Sequence, residues 1–159
     1  MKVLAIDPGY GRVGIAIMDN SEGKDQLLYS TCLETIQTED FNDRLLTVGT
    51  AIEKLLVDYR PDCVAIETLF FNKNIKTAIG VAEARGAIVY LAKKANCVVY
   101  EFGPQEIKVA VTGYGSSDKE AVFSMLKHLV GNLPQKALDD EYDAIAVGLT
   151  CLAQHGRSR

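Results

Sequence analysis

The chain has 159 residues, of which 48% are hydrophobic and 24% are charged, and this composition predicts one globular domain over residues 1–159 and excludes a disordered chain. The formal net charge of −4 argues against a surface that coats nucleic acid broadly, so a nucleic-acid site would need its own local basic patch. No apolar run approaches the ~18 residues of a membrane span, and the apolar start is broken at Asp7, so we expect a cytoplasmic protein.

The opening strand leads directly into an acidic residue. Residues 3–6 form an unbroken apolar run, which is typical of a strand covered on both faces, and Asp7 follows it. The next segment is rich in glycine and predicts a tight turn before a second strand over residues 14–19. The plain interpretation of Asp7 is an acid at the mouth of a hairpin. The alternative is a metal-binding carboxylate with a phosphate path beside it.

A second buried strand repeats this design. A third strand is expected over residues 27–36, which gives an antiparallel meander, and the helical apolar spacing from residue 40 must stop before Pro61. Residues 63–66 are again fully apolar and end on Glu67. Carboxyl ends of strands in open α/β sheets usually carry the functional site, so Glu67 is a second candidate.

The second half of the chain predicts a long helix, a fifth strand and three further helices. The expected ranges are a helix over 75–95, a strand over 96–101, a helix over 104–111, a helix from Ser117 or Asp118 to about 130, and a last helix after Pro134. The long helix is apolar on more than one side, which favours a homodimer through residues 75–95.

This order predicts an α/β fold with a five-stranded mixed sheet, three antiparallel strands followed by two parallel ones, flanked by helices. It resembles a ribonuclease H-like layout more than a Rossmann one. The first and fourth strands are neighbours in that layout. Asp7 and Glu67 would then lie side by side, which is a costly like-charge pair unless a cation lies between them.

Two further acids precede the most apolar stretch of the chain. Asp140 and Asp143 are three residues apart, so on a helix they share a face, and residues 144–149 indicate that this face docks on the core. A solvated first turn favoured by the helix dipole is the plain alternative. Together with Asp7 and Glu67, however, these carboxylates predict a site for Mg²⁺ or Mn²⁺. Two such ions ~4 Å apart can promote phosphodiester hydrolysis.

The cysteines and histidines suggest no competing chemistry. The four cysteines form no Cys-x-x-Cys pair, most lie in apolar surroundings, and we interpret them as reduced core residues; they are Cys32, Cys63, Cys97 and Cys151. The two histidines, His128 and His155, lie beside no nucleophile motif and are expected at the surface. No Cys/His spacing suits zinc.

Short motifs along nearly the whole chain resemble the RuvC family of Holliday junction resolvases, which are homodimeric nucleases that cut four-way DNA junctions. The matching pieces are Ile6-Asp7-Pro8-Gly9, Ala65-Ile66-Glu67 with Phe70 and Lys73-Asn74, Ala84-Arg85-Gly86, Gln105-Glu106-Ile107-Lys108, Gly113-Tyr114-Gly115 with Lys119, and Asp140-Glu141-Tyr142-Asp143-Ala144. Asp-Pro-Gly alone would be a weak signal, but the set is highly specific.

The resemblance implies a metal-dependent mechanism. The catalytic and metal-binding acids would be Asp7, Glu67, Asp140 and Asp143, with two Mg²⁺ ions per active site and Mn²⁺ as a substitute. A metal-activated water would attack the scissile phosphate and leave a 5′-phosphate. Asp139 directly precedes Asp140, so the register of the third ligand stays open.

The resemblance also implies a DNA-binding surface and partners. Its residues would be Phe70, Lys73, Lys76, Arg85, Lys108 and Lys119. Phe70, with Phe71 as an alternative, would stack on a base at the junction centre, and such stacking contributes ~1–3 kcal/mol per base. The homodimer would place two sites on strands of like polarity, and association with a branch-migration motor complex is a further implication.

Three other functions compete with this interpretation. A YqgF-type nuclease that acts on RNA shares the Asp-x-Gly opening. A sugar-kinase or actin-like protein would use the same glycine turn for nucleotide phosphates, but such proteins need two such domains and this chain has room for one. A junction-binding protein without catalysis is disfavoured because all four acids are present.

Overall fold

The computed structural model describes residues 1–68 and 75–156, without the side chains of residues 75 and 76. The strands are β1 (Lys2–Asp7), β2 (Arg12–Asp19), β3 (Gln26–Glu34), β4 (Cys63–Glu67) and β5 (Val98–Phe102). The helices are α1 (Phe41–Tyr59), α2 (Ile75–Lys94), α3 (Pro104–Thr112), α4 (Lys119–Leu129) and α5 (Asp139–His155).

The strands form one five-stranded sheet in the order β3-β2-β1-β4-β5. The first three pair antiparallel, and β4 pairs parallel with both β1 and β5. This confirms the predicted mixed sheet and makes β1 and β4 neighbours.

Strand β2 begins at Arg12 rather than at residue 14, and β3 ends at Glu34 rather than at residue 36. Two further boundaries also differ from the prediction. Strand β5 begins at Val98 rather than at residue 96, because Asn96 has a positive φ of 60° just beyond the end of α2. A left-handed residue of this kind is a common way to end a helix. Helix α5 begins only at Asp139, since residues 134–138 are not helical. Asp139, Asp140 and Glu141 therefore all lie in its first turn.

The sheet separates two helical layers. Alternate residues of β1 face opposite sides, so that Val3 and Ala5 pack toward α3, α4 and α5, whereas Leu4 and Ile6 pack toward α1 and α2. The two buried clusters explain why β1 is apolar at every position before Asp7. A strand that is covered on both faces has no solvent side on which polar residues could alternate.

Helix α5 is the most deeply buried helix of the described chain and packs mainly on β1 and β2. Its close approach depends on small residues. A Cβ atom on Gly148 would stand 2.7 Å from the Met18 side chain and 3.1 Å from the Ala5 Cβ. Ordinary carbon contacts are longer than this, so only glycine lets the helix lie at this depth.

The turn that follows Asp7 is tied to both helices of the other layer. The Tyr10 ring packs edge-on against Phe41 with centroids 5.4 Å apart, and a Cβ on Gly80 of α2 would stand 2.9 Å from the same ring. The Thr35 hydroxyl donates to the Tyr10 carbonyl at 2.7 Å and accepts from Arg44 Nε at 2.8 Å. These contacts fix the backbone beside Asp7.

None of the helices within residues 1–68 and 75–156 is both long and apolar enough to cross a membrane.

Candidate metal centre

Asp7 and Glu67 end adjacent parallel strands. The register pairs Ile6 of β1 with Ile66 of β4, so the next residue on each strand is an acid. Because side chains alternate along a strand, both acids point to the face opposite the two isoleucines, which is the face covered by α5. The strand neighbourhood that the sequence predicted is confirmed.

The first two turns of α5 bring two further carboxylates to this face. The side chains of Asp140 and Asp143 are 23% and 35% exposed, whereas that of Asp139 is 79% exposed. Asp140 and Asp143 therefore face the protein and Asp139 faces solvent. This geometry favours Asp140 over Asp139 in the ligand position that the sequence left open.

The electrostatics of the four acids show that negative charge is concentrated here. Burial, followed by the charges of Glu67, Asp143 and Asp140, raises the pKa of Asp7 from 3.8 to about 8. Burial followed by the Asp143 charge raises the pKa of Glu67, although a hydrogen bond with Asp7 lowers it. Burial also raises the pKa of Asp143, and a hydrogen bond from Lys119 partly offsets this. A cation placed among these carboxylates would reverse the shifts.

Two cationic side chains hold two of the acids from different sides. Lys119 Nζ, from α4, lies 3.1 Å from Asp143 Oδ2. Arg12 Nε, from the start of β2, lies 3.3 Å from Asp140 Oδ2. The sequence analysis missed Arg12. The available signal was a cation inside the glycine-rich turn, but only the close packing of α5 on β2 shows which acid it meets.

The interpretation of all four cysteines as core residues was wrong for Cys32. All four are free of disulfides and the other three are buried, but Cys32 is only partly buried. Its thiol donates to Asp140 Oδ2 over 4.0 Å, because its strand position pairs with Gly14, the residue that contacts the first turn of α5. Cys32 thus lies at the candidate site.

The donor set suits a hard divalent cation, because all four acids offer carboxylate oxygens. In this conformation, however, no three Asp, Glu, His or Cys side chains among the described residues converge on one ion-binding position. Asp143 is turned to Lys119 and Asp140 to Arg12. The chemistry of the residues fits a metal, and binding requires the carboxylates to come closer together than they are in this conformation.

A small cavity opens beside the acids. It has a volume of about 170 Å³ and its charged lining residues are Glu67, Lys108, Lys119 and Asp143. Lys108 reaches it from α3 and Lys119 from the first turn of α4. Both lysines named by the sequence are therefore next to two of the four acids.

The remaining predicted DNA contacts are placed differently. Arg85 forms an ion pair with Glu101, and the alternation of β5 puts Glu101 on the α2 side of the sheet, away from the acids. Phe70, Phe71 and Lys73 lie outside the described residues, as does the Lys76 side chain. The roles assigned to them stay predictions. His155 is exposed as expected, with its ring stacked on Tyr100 at 3.9 Å.

Comparison with known proteins identifies the family. The family model for crossover junction endodeoxyribonuclease RuvC matches residues 3–151. The chain belongs to the RuvC family. RuvC of Thermosipho melanesiensis is 40% identical over 99% of each chain, and RuvC of Brachyspira hyodysenteriae is 39% identical over 94% of this chain and 92% of its own.

Solved RuvC structures agree with this assignment. The structure of Thermus thermophilus RuvC in complex with a Holliday junction substrate matches with a TM-score of 0.90 and 30% identity, covering 97% of this chain and 94% of that one. This confirms the ribonuclease H-like fold. The yeast mitochondrial Holliday junction resolvase Ydc2 matches with a TM-score of 0.70 at 15% identity, which supports the fold alone.

Proposed function

We propose that this RuvC-family protein is an endonuclease that resolves four-way DNA junctions by metal-dependent hydrolysis of phosphodiester bonds. The observation that carries the proposal is the group of four carboxylates at one end of the sheet, where burial and mutual repulsion raise the pKa of Asp7 to about 8. The similarity to Thermus thermophilus RuvC, which was solved with a junction substrate, supports the choice of DNA substrate. Nucleases of the RuvC family are metal-dependent.

In this proposal Asp7, Glu67, Asp140 and Asp143 hold Mg²⁺, with two ions per site. Bound ions would supply an activated water and stabilise the negative charge on the phosphate and the leaving oxygen. The protein contributes a rigid frame, because Asp7 and Glu67 end buried strands and the two other acids lie in a helix packed against them. At neutral pH without metal, Asp7 holds a proton that it must release to become a ligand.

Lys108 and Lys119 would contact the DNA strand beside the acids. Both line the same cavity as Glu67 and Asp143. Lys119 Nζ lies 3.1 Å from Asp143 Oδ2. When Asp143 binds metal and DNA enters the site, this lysine can pair with a phosphate oxygen instead. Positive charge at this place would offset the charge that develops in the transition state.

The outer face of α2 would form a homodimer. Ile79 and Tyr90 are 56% and 67% exposed, and Ala82 and Gly86 lie on the same face between them. The opposite face of α2 is buried against the sheet, and its buried residues include Ala84, Ile88 and Ala92. Small residues between two large ones allow close approach of a second helix. A two-fold axis here would give two sites and paired cuts.

The experiment compares three substrates of matched sequence: a synthetic four-way junction, a linear DNA duplex and an RNA–DNA hybrid, each with Mg²⁺. We expect paired nicks in the junction and much slower cutting of the other two. Equal cutting of all three would contradict the junction-resolving function. Preferred cutting of the RNA-containing substrate would favour the YqgF-type alternative instead.

A further inference from the structure

Arg12 reaches the candidate site from β2, whereas Lys108 reaches it from α3 and Lys119 from α4. Its Nε lies 3.3 Å from Oδ2 of Asp140. Asp140 is held in the first turn of α5, where its own carbonyl oxygen touches the backbone position of Gly14, two residues after Arg12. The ion pair thus joins two elements that are in direct backbone contact.

The geometry leaves part of each group available. The Cys32 thiol donates to the same oxygen, Oδ2, over 4.0 Å. For Oδ1 of Asp140, no hydrogen bond or ion pair is found among residues 1–68 and 75–156. Because Arg12 and Cys32 both hold Oδ2 of Asp140, the direction of Oδ1 is set as well.

The guanidinium also has unused donors. Arg12 is half-exposed, and within the described chain its only ion pair is the one through Nε. Its two terminal nitrogens carry four N–H donors in the fork geometry that matches a phosphate, and the half-exposed side chain leaves the guanidinium accessible to a ligand. The charge of arginine is permanent, so this donor set is present at every pH at which the protein is folded.

We propose that Arg12 is a positioning residue for Asp140 and also a phosphate contact for the DNA strand on the β2 side of the site. It fixes Oδ2 of Asp140 through Nε, which presents Oδ1 to the metal, and it binds a backbone phosphate through the outer edge of the guanidinium. Lys119, which reaches the acids from α4, contacts the strand from the other side of α5. This inference rests on the proposed nuclease function.

The phosphate contact is tested without metal, so that no cutting occurs. Junction affinity is measured over a series of salt concentrations for the wild type, Arg12→Gln, Arg12→Lys and Arg60→Gln. Arg60 is a matched control, because it is an exposed arginine at the C-terminal end of α1, at the opposite end of the sheet. Because one phosphate contact is lost, Arg12→Gln should bind the junction several-fold more weakly than the wild type. The slope of log K against log salt should flatten by about 0.7–0.9. Arg12→Lys, which keeps the charge, should restore both, and Arg60→Gln should match the wild type.

The positioning role is tested by the Mg²⁺ concentration that gives half-maximal cutting. We expect this concentration to rise by roughly ten-fold in Arg12→Gln, which corresponds to about 1.4 kcal/mol in ligand orientation. Arg12→Lys should recover it only in part, because lysine lacks the planar fork that fixes one oxygen. An Arg12→Gln protein with an unchanged salt slope or an unchanged Mg²⁺ requirement would overturn the proposal. A wild type that cuts no junction, with the Arg12→Gln binding defect still present, would overturn the proposed function instead and leave the phosphate contact standing.

Discussion

Gly14 and Asp140 are in direct backbone contact. A Cβ atom on Gly14 would stand 1.8 Å from the carbonyl oxygen of Asp140 and 3.2 Å from the Cβ of Asp7. Gly14 is also the β2 partner of Asp7 in the sheet. The missing side chain therefore creates the space in which the first turn of α5 lies against the end of β1, and it sets how closely the acids of the two elements approach.

Replacing Gly14 with alanine should displace the first turn of α5. Overpacking of a buried position costs ~1–3 kcal/mol, and here the clash is with backbone, so we expect a loss at the upper end of that range. Urea unfolding measures the stability, and junction cutting should fall more than stability predicts because Asp140 and Asp143 move away from Asp7.

The control is Gly131→Ala. A Cβ on Gly131 would meet nothing within 4 Å, so this variant should unfold and cut like the wild type. A Gly14→Ala protein with wild-type stability and cutting would show that the backbone contact has no role in building the site.

The stability of the metal-free protein should fall as the pH rises from about 4 to about 8. The pKa of Asp7 is raised from 3.8 to about 8, so within this window the folded protein holds a proton that the unfolded chain has released. Where the folded state binds more protons, the free energy of unfolding decreases with increasing pH. The pKa values of Glu67 and Asp143 are also raised and act in the same direction.

Urea unfolding in a chelating buffer at several pH values measures this slope. Asp7→Asn should be more stable than the wild type near pH 8 and should show a smaller slope, since asparagine carries no charge to bury. Added Mg²⁺ should stabilise the wild type most at the upper end of the range, where the site has lost its protons. A pH-independent difference between the two proteins would contradict the raised pKa.

The sequence predicts the parts of this site that follow from strand periodicity. Asp7 and Glu67 each end a fully apolar run, so their common edge of the sheet could be inferred once β1 and β4 were expected to be neighbours. Which of Asp139 and Asp140 faces inward could not be inferred from the sequence, because it depends on where α5 begins. Periodicity gives the relative spacing of helical residues but not their absolute orientation.

The partners of the acids depend on packing that no local pattern encodes. Arg12 and Cys32 meet Asp140 only because α5 lies against β2, which in turn depends on the register of β2 and β3 and on Gly14. The ion pair between Arg85 and Glu101 likewise has no signal in the local sequence, and the DNA-binding role of Arg85 stays a prediction.

Lys119→Gln and Lys108→Gln should each slow junction cutting far more than they weaken junction binding. Both lysines line the cavity beside Glu67 and Asp143, where charge acts on the reacting phosphate. Loss of a preorganised charge of this kind typically reduces kcat by about 10²–10³-fold. Single-turnover cutting and binding assays in parallel measure the two effects.

Lys127→Gln is the control for these variants. Lys127 lies in the last turn of the same helix as Lys119, with Nζ 4.1 Å from the Phe123 ring centroid, and it does not line the cavity. It should cut at the wild-type rate. An equal loss in all three variants would indicate a general effect of surface charge rather than a role at the site.

Ile79→Glu should convert the protein to a monomer. Ile79 lies on the outer face of α2, and a charge there would have to be buried without a partner at the proposed interface. Sedimentation velocity measures the change in mass. The matched control is Val57→Glu on α1, since Val57 is 65% exposed and Ile79 is 56% exposed. A dimer that survives Ile79→Glu, or a wild-type monomer, would contradict the proposed interface.

The central claim is that Asp7 and its neighbouring carboxylates bind the metal ions that promote hydrolysis of phosphodiester bonds in the junction. The most direct measurement compares wild type and Asp7→Asn on one synthetic four-way junction, with binding measured without divalent ions and cutting measured with Mg²⁺. We expect junction affinity within a few-fold of the wild type and cutting lower by about 10³-fold or more, since a lost ligand removes several kcal/mol of transition-state stabilisation. An Asp7→Asn protein that still resolves the junction at a rate near that of the wild type would contradict the account.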